Sequence, residues 1–158
     1  MKNKPLVSVL LSTYNRASLI TNSIASVLSQ TYTNFELIIW DDGSTDETDL
    51  IIRSFSDNRI RFFKDINHGK SWALNQCIGL ANGDFIAIID DDDVWMDTKL
   101  EQQITKMVKH QEFDVLFTNF NNLNLFTGEK GVGFDQNRKG IDELETEKVE
   151  EDLFLIKR

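Results

Sequence analysis

The sequence is poor in cysteine and proline, with one residue of each among 158. A single cysteine, Cys77, cannot form an internal disulfide, and this usage is typical of a reducing compartment. No stretch approaches the length of a membrane span, and the amino terminus lacks the small-residue cleavage site of a signal peptide. We therefore expect a soluble cytoplasmic domain with no transmembrane segment.

Positive charge is also scarce, because 17 Lys and Arg residues stand against 26 Asp and Glu residues, a net charge of −9. This balance argues against nucleic acid or anionic lipid as a partner held by bulk electrostatics. An acidic protein that binds an anionic ligand needs a metal ion or a few local cations between them. The sequence also has no GxGxxG after its first strand and no GxxxxGK[ST]. These glycine-rich motifs bind phosphate in dinucleotide-binding and P-loop proteins, so their absence argues against both classes.

What the chain does contain is a regular alternation of apolar runs and helical spacings over its first two thirds. This alternation is typical of an α/β fold with a mostly parallel sheet and helices on both faces. Residues 85–89 form an unbroken apolar run, which predicts a strand buried on both faces near the sheet centre. Residues 59–63 alternate and predict a strand near an edge. The predicted strands are 6–11, 35–40, 59–63, 85–89 and 113–118, and the predicted helices start near Asn15, Ser44, Lys70 and Asp97.

Local signals add detail to these elements. Asn15 is predicted to cap the first helix, and Ser44 with Glu47 forms a capping-box pattern for the second, whose Leu50 would face the sheet. Gly83 suits a left-handed position after the third helix. Beyond residue 119 the pattern weakens: 121–126 predicts a strand, 128–140 a loop, and 141–152 an acidic segment with helical propensity.

Four consecutive carboxylates, Asp90 to Asp93, follow the apolar run directly. Like charges repel, and the carboxyl end of a strand in an α/β sheet is where ligands bind, so we expect a divalent cation here. If the backbone stays extended, Asp90 pairs with Asp92, and Asp91 with Asp93. Oxygen ligands without a His or Cys cluster favour Mg²⁺ or Mn²⁺ over zinc. The alternative is an acidic turn exposed to solvent.

Right-handed crossovers place the carboxyl ends of parallel strands on one edge of the sheet. Asp42 could accept a hydrogen bond from a base or ribose there, or else form an Asx turn. Tyr14 could stack on a base or be a core aromatic, and Lys70 could meet phosphate or remain solvated. The candidate ligand-binding residues at this edge are Ser12, Thr13, Tyr14, Asp41, Asp42, Lys70 and the four aspartates, of which either Asp90 and Asp92 or Asp91 and Asp93 would hold the metal ion.

Several motifs in order resemble the family 2 glycosyltransferases of the GT-A fold. They are VSVLLSTYNR at 7–16, SVLSQTYTNFELIIWDDGSTDET at 26–48, N-x-G at 67–69 and ALNQCIGLANGDFIAIIDDDDVW at 73–95. The resemblance covers roughly residues 5–118 and is specific, because the motifs recur at suitable spacing.

The resemblance implies a nucleotide-diphospho-sugar donor, most simply a UDP-sugar, and inverting transfer to the hydroxyl of a sugar or lipid-linked acceptor in bacterial polysaccharide synthesis. Residues 12–14 and Asp42 would hold the nucleoside, and Asp91 would lie beside ribose or phosphate. Asp90 and Asp92 match the family's D-x-D, with Asp92 as the direct ligand of Mn²⁺ or Mg²⁺. A cytoplasmic protein acting at the inner face of the membrane would suit a lipid-linked acceptor.

Two departures from the family pattern bear on activity. Leu74 stands where the family often has arginine, so Lys70 would have to substitute for that cation. Glu151-Asp152 superficially resembles the family's ED element, but the preceding segment is too short for the usual acceptor subdomain. The general base therefore stays unassigned, and Asp152 is not proposed for it. We expect a donor-binding core at residues 1–120 and an incomplete start of the acceptor part at 121–158.

Two other functions remain open from the sequence. One is a non-catalytic module that binds a nucleotide sugar or another protein. The other is a sugar nucleotidyltransferase on a related sheet, although such enzymes carry a glycine-rich first loop, and residues 12–15 here contain no glycine.

Overall fold

The structure, a computed structural model, describes residues 4–118, 121–123, 130–132, 146–150 and 153–157. The chain forms two compact units, Met1–Glu101 and Gln102–Arg158. The predicted division into a donor-binding core at 1–120 and the start of an acceptor part at 121–158 is a division by function. It stays a prediction. None of the helices among the described residues is both long and apolar enough to cross a membrane.

Strands and helices alternate in the first unit, as predicted. The elements are β1 (Val7–Thr13), α1 (Ile20–Leu28), β2 (Phe35–Asp41), α2 (Thr48–Ser54), β3 (Ile60–Lys64), α3 (Lys70–Leu80) and β4 (Phe85–Asp90). Helix α4 (Lys99–Lys109) follows.

The four strands of the first unit form one parallel sheet in the order β3-β2-β1-β4. Every residue of β1 is buried, so this strand is the centre of the core. The prediction that 85–89 is a central strand is wrong for the sheet that the described residues form, because β4 lies at its edge and Ile86 and Ile88 are 48% and 52% exposed. An apolar run shows that a strand is hydrophobic. Its position in the sheet depends on which other strands pair with it, and the run itself does not reveal this. The edge position predicted for β3 is confirmed.

Helices cover both faces of this sheet. Right-handed crossovers put α1 and α2 on one face and α3 on the other, since the chain runs outward from β1 to β3 and then returns across to β4. Contacts between α1 and α2, and between α3 and strands β1 and β2, agree with this arrangement. Under α3 lies a buried cluster of Leu10, Ile38, Trp40, Ala73 and Cys77.

The predicted helix caps are replaced by contacts between loops. Asn15 does not cap α1; its backbone has φ 53°, and its side-chain oxygen accepts the amide of Thr45 at 2.8 Å. The capping box is also wrong, because α2 begins at Thr48 and has no side-chain cap from Ser44 or Glu47. Ser44 Oγ instead accepts the amide of Asn15 at 2.9 Å. The loops after β1 and β2 are therefore tied to each other.

Two further local predictions are corrected. Leu50 is 70% exposed, and Ile52 is the apolar residue that α2 buries. Gly83 is not in the left-handed region, where the described glycines are Gly43 and Gly69. A Cβ on Gly83 would lie 2.5 Å from the backbone nitrogen of Ser8, so glycine is needed for close approach to β1.

The second unit contains antiparallel strands. In it, β5 (Phe113–Thr118) and β8 (Thr146–Glu150) flank β9 (Leu153–Lys157), and β6 (Asn121–Leu123) pairs with β7 (Lys130–Val132). The prediction of β5 is confirmed, and the strand predicted at 121–126 is found at Asn121–Leu123. The loop predicted at 128–140 is wrong where β7 forms, and the helical propensity predicted at 141–152 is wrong where β8 forms. In both places pairing with another strand overrides the local propensity. The remaining residues of 124–145 and Glu151-Asp152 lie outside the described residues.

Candidate functional site

The strand register brings the predicted edge residues together. Thr13 at the end of β1 is paired with Asp41 on β2, and Ser12 is paired with Asp90 on β4. The strand order reverses between β1 and β4, and such a switch point leaves a crevice beyond the carboxyl ends of the strands. The acidic run therefore starts at the position where α/β sheets bind their ligands.

Asp41 is fully buried and bonded to its own surroundings. Its Oδ1 accepts the amide of Ser44 at 2.7 Å, and Lys64 Nζ lies 3.2 Å from its Oδ2. Partial burial disfavours the charge on Lys64, but its hydrogen bonds to Asp41 and Asp49 outweigh this and raise its pKa. These contacts stabilise the turn after β2, and any contact of Asp41 with a ligand stays a prediction.

Asp42 organises a second loop. Its Oδ1 accepts the amide of His68 at 2.9 Å and its Oδ2 accepts the amide of Gly69 at 2.7 Å. Gly69 has φ 93° and directly precedes α3, so this carboxylate fixes the start of the helix that carries Lys70. Each carboxylate oxygen can accept a second hydrogen bond, which leaves capacity for a base or ribose.

The end of β1 offers both buried and exposed groups. Ser12 and Thr13 are 7% and 3% exposed, and the Thr13 hydroxyl has no hydrogen-bond partner within the described part of the chain. Tyr14, in contrast, is 46% exposed. Its ring is therefore not a core aromatic, and its stacking on a base stays a prediction.

The chain turns within the acidic run. The β4 strand ends at Asp90, and the amide of Asp93 donates to the Asp90 carbonyl at 3.1 Å. Side chains two residues apart point the same way only in extended backbone, and the backbone turns after Asp90. Strand geometry therefore does not place Asp92 beside Asp90. Their joint role as metal ligands stays a prediction. Burial, followed by the charges of Asp90 and Asp92, raises the pKa of Asp93.

These oxygen ligands fit Mg²⁺ or Mn²⁺ in one particular way. Among the described residues, no three His, Cys, Asp or Glu side chains are grouped closely enough to hold a metal ion. A cation at the acidic run would thus rely on one or two carboxylates and complete its shell with water and ligand oxygens. This is the usual way in which proteins hold Mg²⁺ beside phosphate.

Asp90 and Asp91 of the acidic run form ion pairs with cations from other parts of the first unit. Lys70 Nζ lies 2.7 Å from Asp90 Oδ1, and this hydrogen bond, with the charges of Asp91 and Asp92, raises the pKa of Lys70 despite partial burial. Arg16 Nε lies 3.3 Å from Asp91 Oδ1. Arg16 was not among the predicted site residues, although a basic residue just after the polar end of the first strand was the available signal.

Leu74, which stands where the resembled family often has arginine, has an apolar role in this structure. Leu74 packs, partly buried, against the apolar cluster under α3. Lys70 is one helical turn earlier, at i−4, so both residues lie along the same side of α3. Lys70 therefore provides a cation near the acidic run, while Leu74 contributes to the core.

The fold and the acidic edge of this sheet define a GT-A-type α/β protein. The sequence profile described as Glycosyl transferase family 2 matches residues 8–145, so the chain belongs to this family.

Its relatives include named bacterial enzymes. The chain is 43% identical over 106 residues to the Escherichia coli UDP-Glc:alpha-D-GlcNAc-diphosphoundecaprenol beta-1,3-glucosyltransferase WfgD, with 66% of this chain and 42% of that protein covered. It is 44% identical over 103 residues to the putative colanic acid biosynthesis glycosyl transferase WcaA of Escherichia coli, with 63% and 37% covered. The chain thus spans about two fifths of the length of these relatives.

Solved structures agree with this membership. Staphylococcus aureus TarS 1–349 in complex with UDP-GlcNAc superposes with a TM-score of 0.63 at 27% identity, covering 66% of this chain and 32% of that one. The mannosyltransferase PcManGT of Pyrobaculum calidifontis, in complex with GDP-Man and Mn²⁺, gives 0.64 at 25% identity, covering 75% and 35%.

Proposed function

We propose that this chain is the donor-binding part of an inverting glycosyltransferase. It binds a nucleotide-diphospho-sugar, a UDP-sugar in the first instance, and the complete enzyme transfers the sugar to a hydroxyl of a sugar or lipid-linked acceptor in bacterial polysaccharide or glycoconjugate synthesis. The observation that carries this proposal is the register of Ser12 with Asp90 and of Thr13 with Asp41, which gathers polar groups at the switch point. The UDP-GlcNAc complex of TarS and the UDP-Glc specificity in the name of WfgD support the choice of donor.

Within this proposal, each group has a role suited to its surroundings. The exposed ring of Tyr14 stacks on the base, Ser12 and Thr13 border the nucleoside, and Asp42 accepts a hydrogen bond from it while holding the loop before α3. Lys70 donates to diphosphate oxygens, and Asp91 lies beside ribose or phosphate. Asp90 and Asp92 hold Mn²⁺ or Mg²⁺, as the Mn²⁺ in the PcManGT complex supports. The ion supplies Lewis-acid stabilisation of the departing diphosphate.

The base that deprotonates the acceptor is not assigned to any described residue. Direct displacement requires a proton acceptor near the attacking hydroxyl. Since the chain spans about two fifths of its named relatives, we expect donor binding without efficient transfer from this chain alone.

A thermal-shift panel tests the proposal. UDP-glucose, UDP-GlcNAc, GDP-mannose and a dTDP-sugar are each added with MnCl₂ or with EDTA. A donor at 100 times its Kd stabilises the native state by about 2.7 kcal/mol. We expect one nucleotide class to raise the melting temperature with Mn²⁺ and to lose most of this effect in EDTA. If no nucleotide sugar shifts the transition at millimolar concentration, the proposal is wrong.

A second assay separates an enzyme from a non-catalytic binding module. Slow hydrolysis of the nucleotide sugar that is lost in Asp92→Ala would favour the enzyme. Donor binding without hydrolysis at any metal concentration would favour the module.

A further inference from the structure

Arg16 and Lys70 reach the acidic run from different elements and contact different carboxylates. Lys70, the first residue of α3, contacts Asp90, and Arg16, in the loop after β1, contacts Asp91. No hydrogen bond or ion pair of the Asp92 side chain is present within the described part of the chain. Without ligand, Asp90 and Asp91 are therefore each paired with a cation, Asp92 has no such partner among the described residues, and Asp93 lies in the field of Lys70 and Lys99.

The two ion pairs differ in how open they are to solvent. Lys70 and Asp90 are 59% and 45% exposed, and such solvent-exposed pairs contribute little to stability. Arg16 is 46% exposed, but its partner Asp91 is only 13% exposed. The Lys64–Asp41 pair is different, because its carboxylate is fully buried and Lys64 also donates to the carbonyl of Ser44. Lys64 thus serves the fold, whereas Lys70 can leave Asp90 at small cost, and Arg16 is the exposed partner in its pair with Asp91.

A diphosphate is a better partner for both cations than one carboxylate. It carries more negative charge, and guanidinium binds phosphate oxygens through two parallel hydrogen bonds. A divalent cation, in turn, needs the Asp90 carboxylate that Lys70 now occupies. Each ligand would therefore remove the obstacle to the other.

We propose, on the basis of the proposed function, that Arg16 and Lys70 exchange partners on donor binding, from Asp91 and Asp90 to the diphosphate. In this exchange Arg16 becomes a diphosphate-binding residue, and Lys70 releases Asp90 to the metal ion. The binding of nucleoside diphosphate and of divalent cation is then positively coupled. Because coupling is reciprocal, UDP tightens Mn²⁺ binding by the same factor by which Mn²⁺ tightens UDP binding.

Calorimetric titration of the full chain measures this coupling factor. Mn²⁺ is titrated with and without saturating UDP, and UDP with and without saturating Mn²⁺. We expect a factor of about tenfold in the unmodified chain, within the usual range for coupled sites. In Lys70→Gln, Mn²⁺ alone should bind more tightly, UDP should bind more weakly, and the factor should fall to about threefold or less. Arg16→Gln should change UDP affinity and the factor in the same directions.

The coupling factor distinguishes exchange from a general change of charge. Removing any nearby positive charge strengthens Mn²⁺ binding, whereas loss of the exchange lowers the coupling between the two ligands to the part that direct contact of the ion with the diphosphate provides. Lys109→Gln on α4 and Arg53→Gln on α2 remove the same charges from exposed positions and should keep the full factor. An unchanged factor in Lys70→Gln and Arg16→Gln would overturn the exchange and leave donor binding intact. Absence of UDP binding to the unmodified chain would overturn the proposed function and the exchange with it.

Discussion

At the scale of single residues, the two neighbouring carboxylates Asp41 and Asp42 first serve the chain's own loops. The family pattern suggests a ligand-binding role for them, and both are nearly inaccessible, at 0% and 3% exposure. Their hydrogen bonds fix the turn at Ser44 and the amides of His68 and Gly69. A substitution that weakens donor binding here would therefore also change the loop that places Lys70.

Asp42→Ala should lower the free energy of unfolding by about 2 kcal/mol. The substitution removes the charged acceptor of the His68 and Gly69 amides, and a hydrogen bond to a charged group contributes about 1.5–3 kcal/mol. Urea denaturation followed by circular dichroism measures the change.

Asp65→Ala is the matched control for Asp42→Ala, since Asp65 is an exposed carboxylate that accepts the amide of the adjacent Ile66. It should change stability by less than about 0.5 kcal/mol. If Asp42→Ala is as stable as the control, the Asp42 carboxylate does not stabilise this loop, and its role would be limited to binding the donor.

At the scale of elements, the sequence predicted what depends on local pattern. The bounds of β2 and α3 agree with the predictions to within one residue, because each is a continuous apolar or periodic segment next to a turn signal. The edge position of β4 and the strand β8 were missed, since both depend on pairing with distant strands. Arg16 was missed for the same reason, because its partner Asp91 is 75 residues away.

Gly83 and Gly79 give opposite predictions although both are close to the carboxyl end of α3. Gly83→Ala should lower the free energy of unfolding by about 1–3 kcal/mol, because its Cβ would meet the Ser8 backbone and force it to move. Gly79→Ala should raise it by about 0.5–1 kcal/mol, since alanine favours the helix and nothing lies within 4 Å of the new Cβ. Chemical denaturation of both variants measures the difference. Equal effects would show that the contact with β1 is unimportant.

The entry to β3 carries an ion pair whose contribution depends on pH. Arg59 binds Asp57 through Nη2 at 2.7 Å and Nε at 3.0 Å, and these hydrogen bonds lower the pKa of Asp57 from 3.8 to about 2. The native state then binds fewer protons than the unfolded state between about pH 2 and 4. The stabilisation is complete above pH 4 and is lost as the pH falls through about 2.

Asp57→Asn should therefore lower the free energy of unfolding at pH 7 by about 1 kcal/mol, a typical upper value for a partly exposed pair. The difference from the unmodified chain should persist at pH 5 and shrink between pH 4 and 2. Urea titrations at these pH values measure it. A difference that stays constant down to pH 2.5 would contradict the role of the Asp57 charge.

At the scale of the whole molecule, an anionic donor must bind to a chain of net charge −9. The described structure provides local cations at the ligand-binding edge, Arg16 and Lys70, and both are already neutralised by the acidic run. These two cations can reach a diphosphate only by leaving their carboxylates, and a divalent cation that replaces Lys70 at Asp90 would add to the positive charge available there. We therefore expect the affinity for the donor to depend strongly on a bound divalent cation.

The three tryptophans provide a local signal for this dependence, because Trp40, Trp72 and Trp95 all lie in the first unit. Trp72 is also near the ligand-binding edge, since its ring centroid lies 4.2 Å from that of His68, whose amide binds Asp42. UDP with Mn²⁺ at ten times its Kd should stabilise the native unit by about 1.4 kcal/mol, or roughly 6 °C in melting temperature. The shift should appear in tryptophan fluorescence and disappear when EDTA removes the metal. Asp92→Asn should show no such shift, whereas Asp57→Asn, at the opposite edge of the sheet, should keep it. A ligand-induced shift seen by circular dichroism but not by tryptophan fluorescence would place the donor outside the first unit.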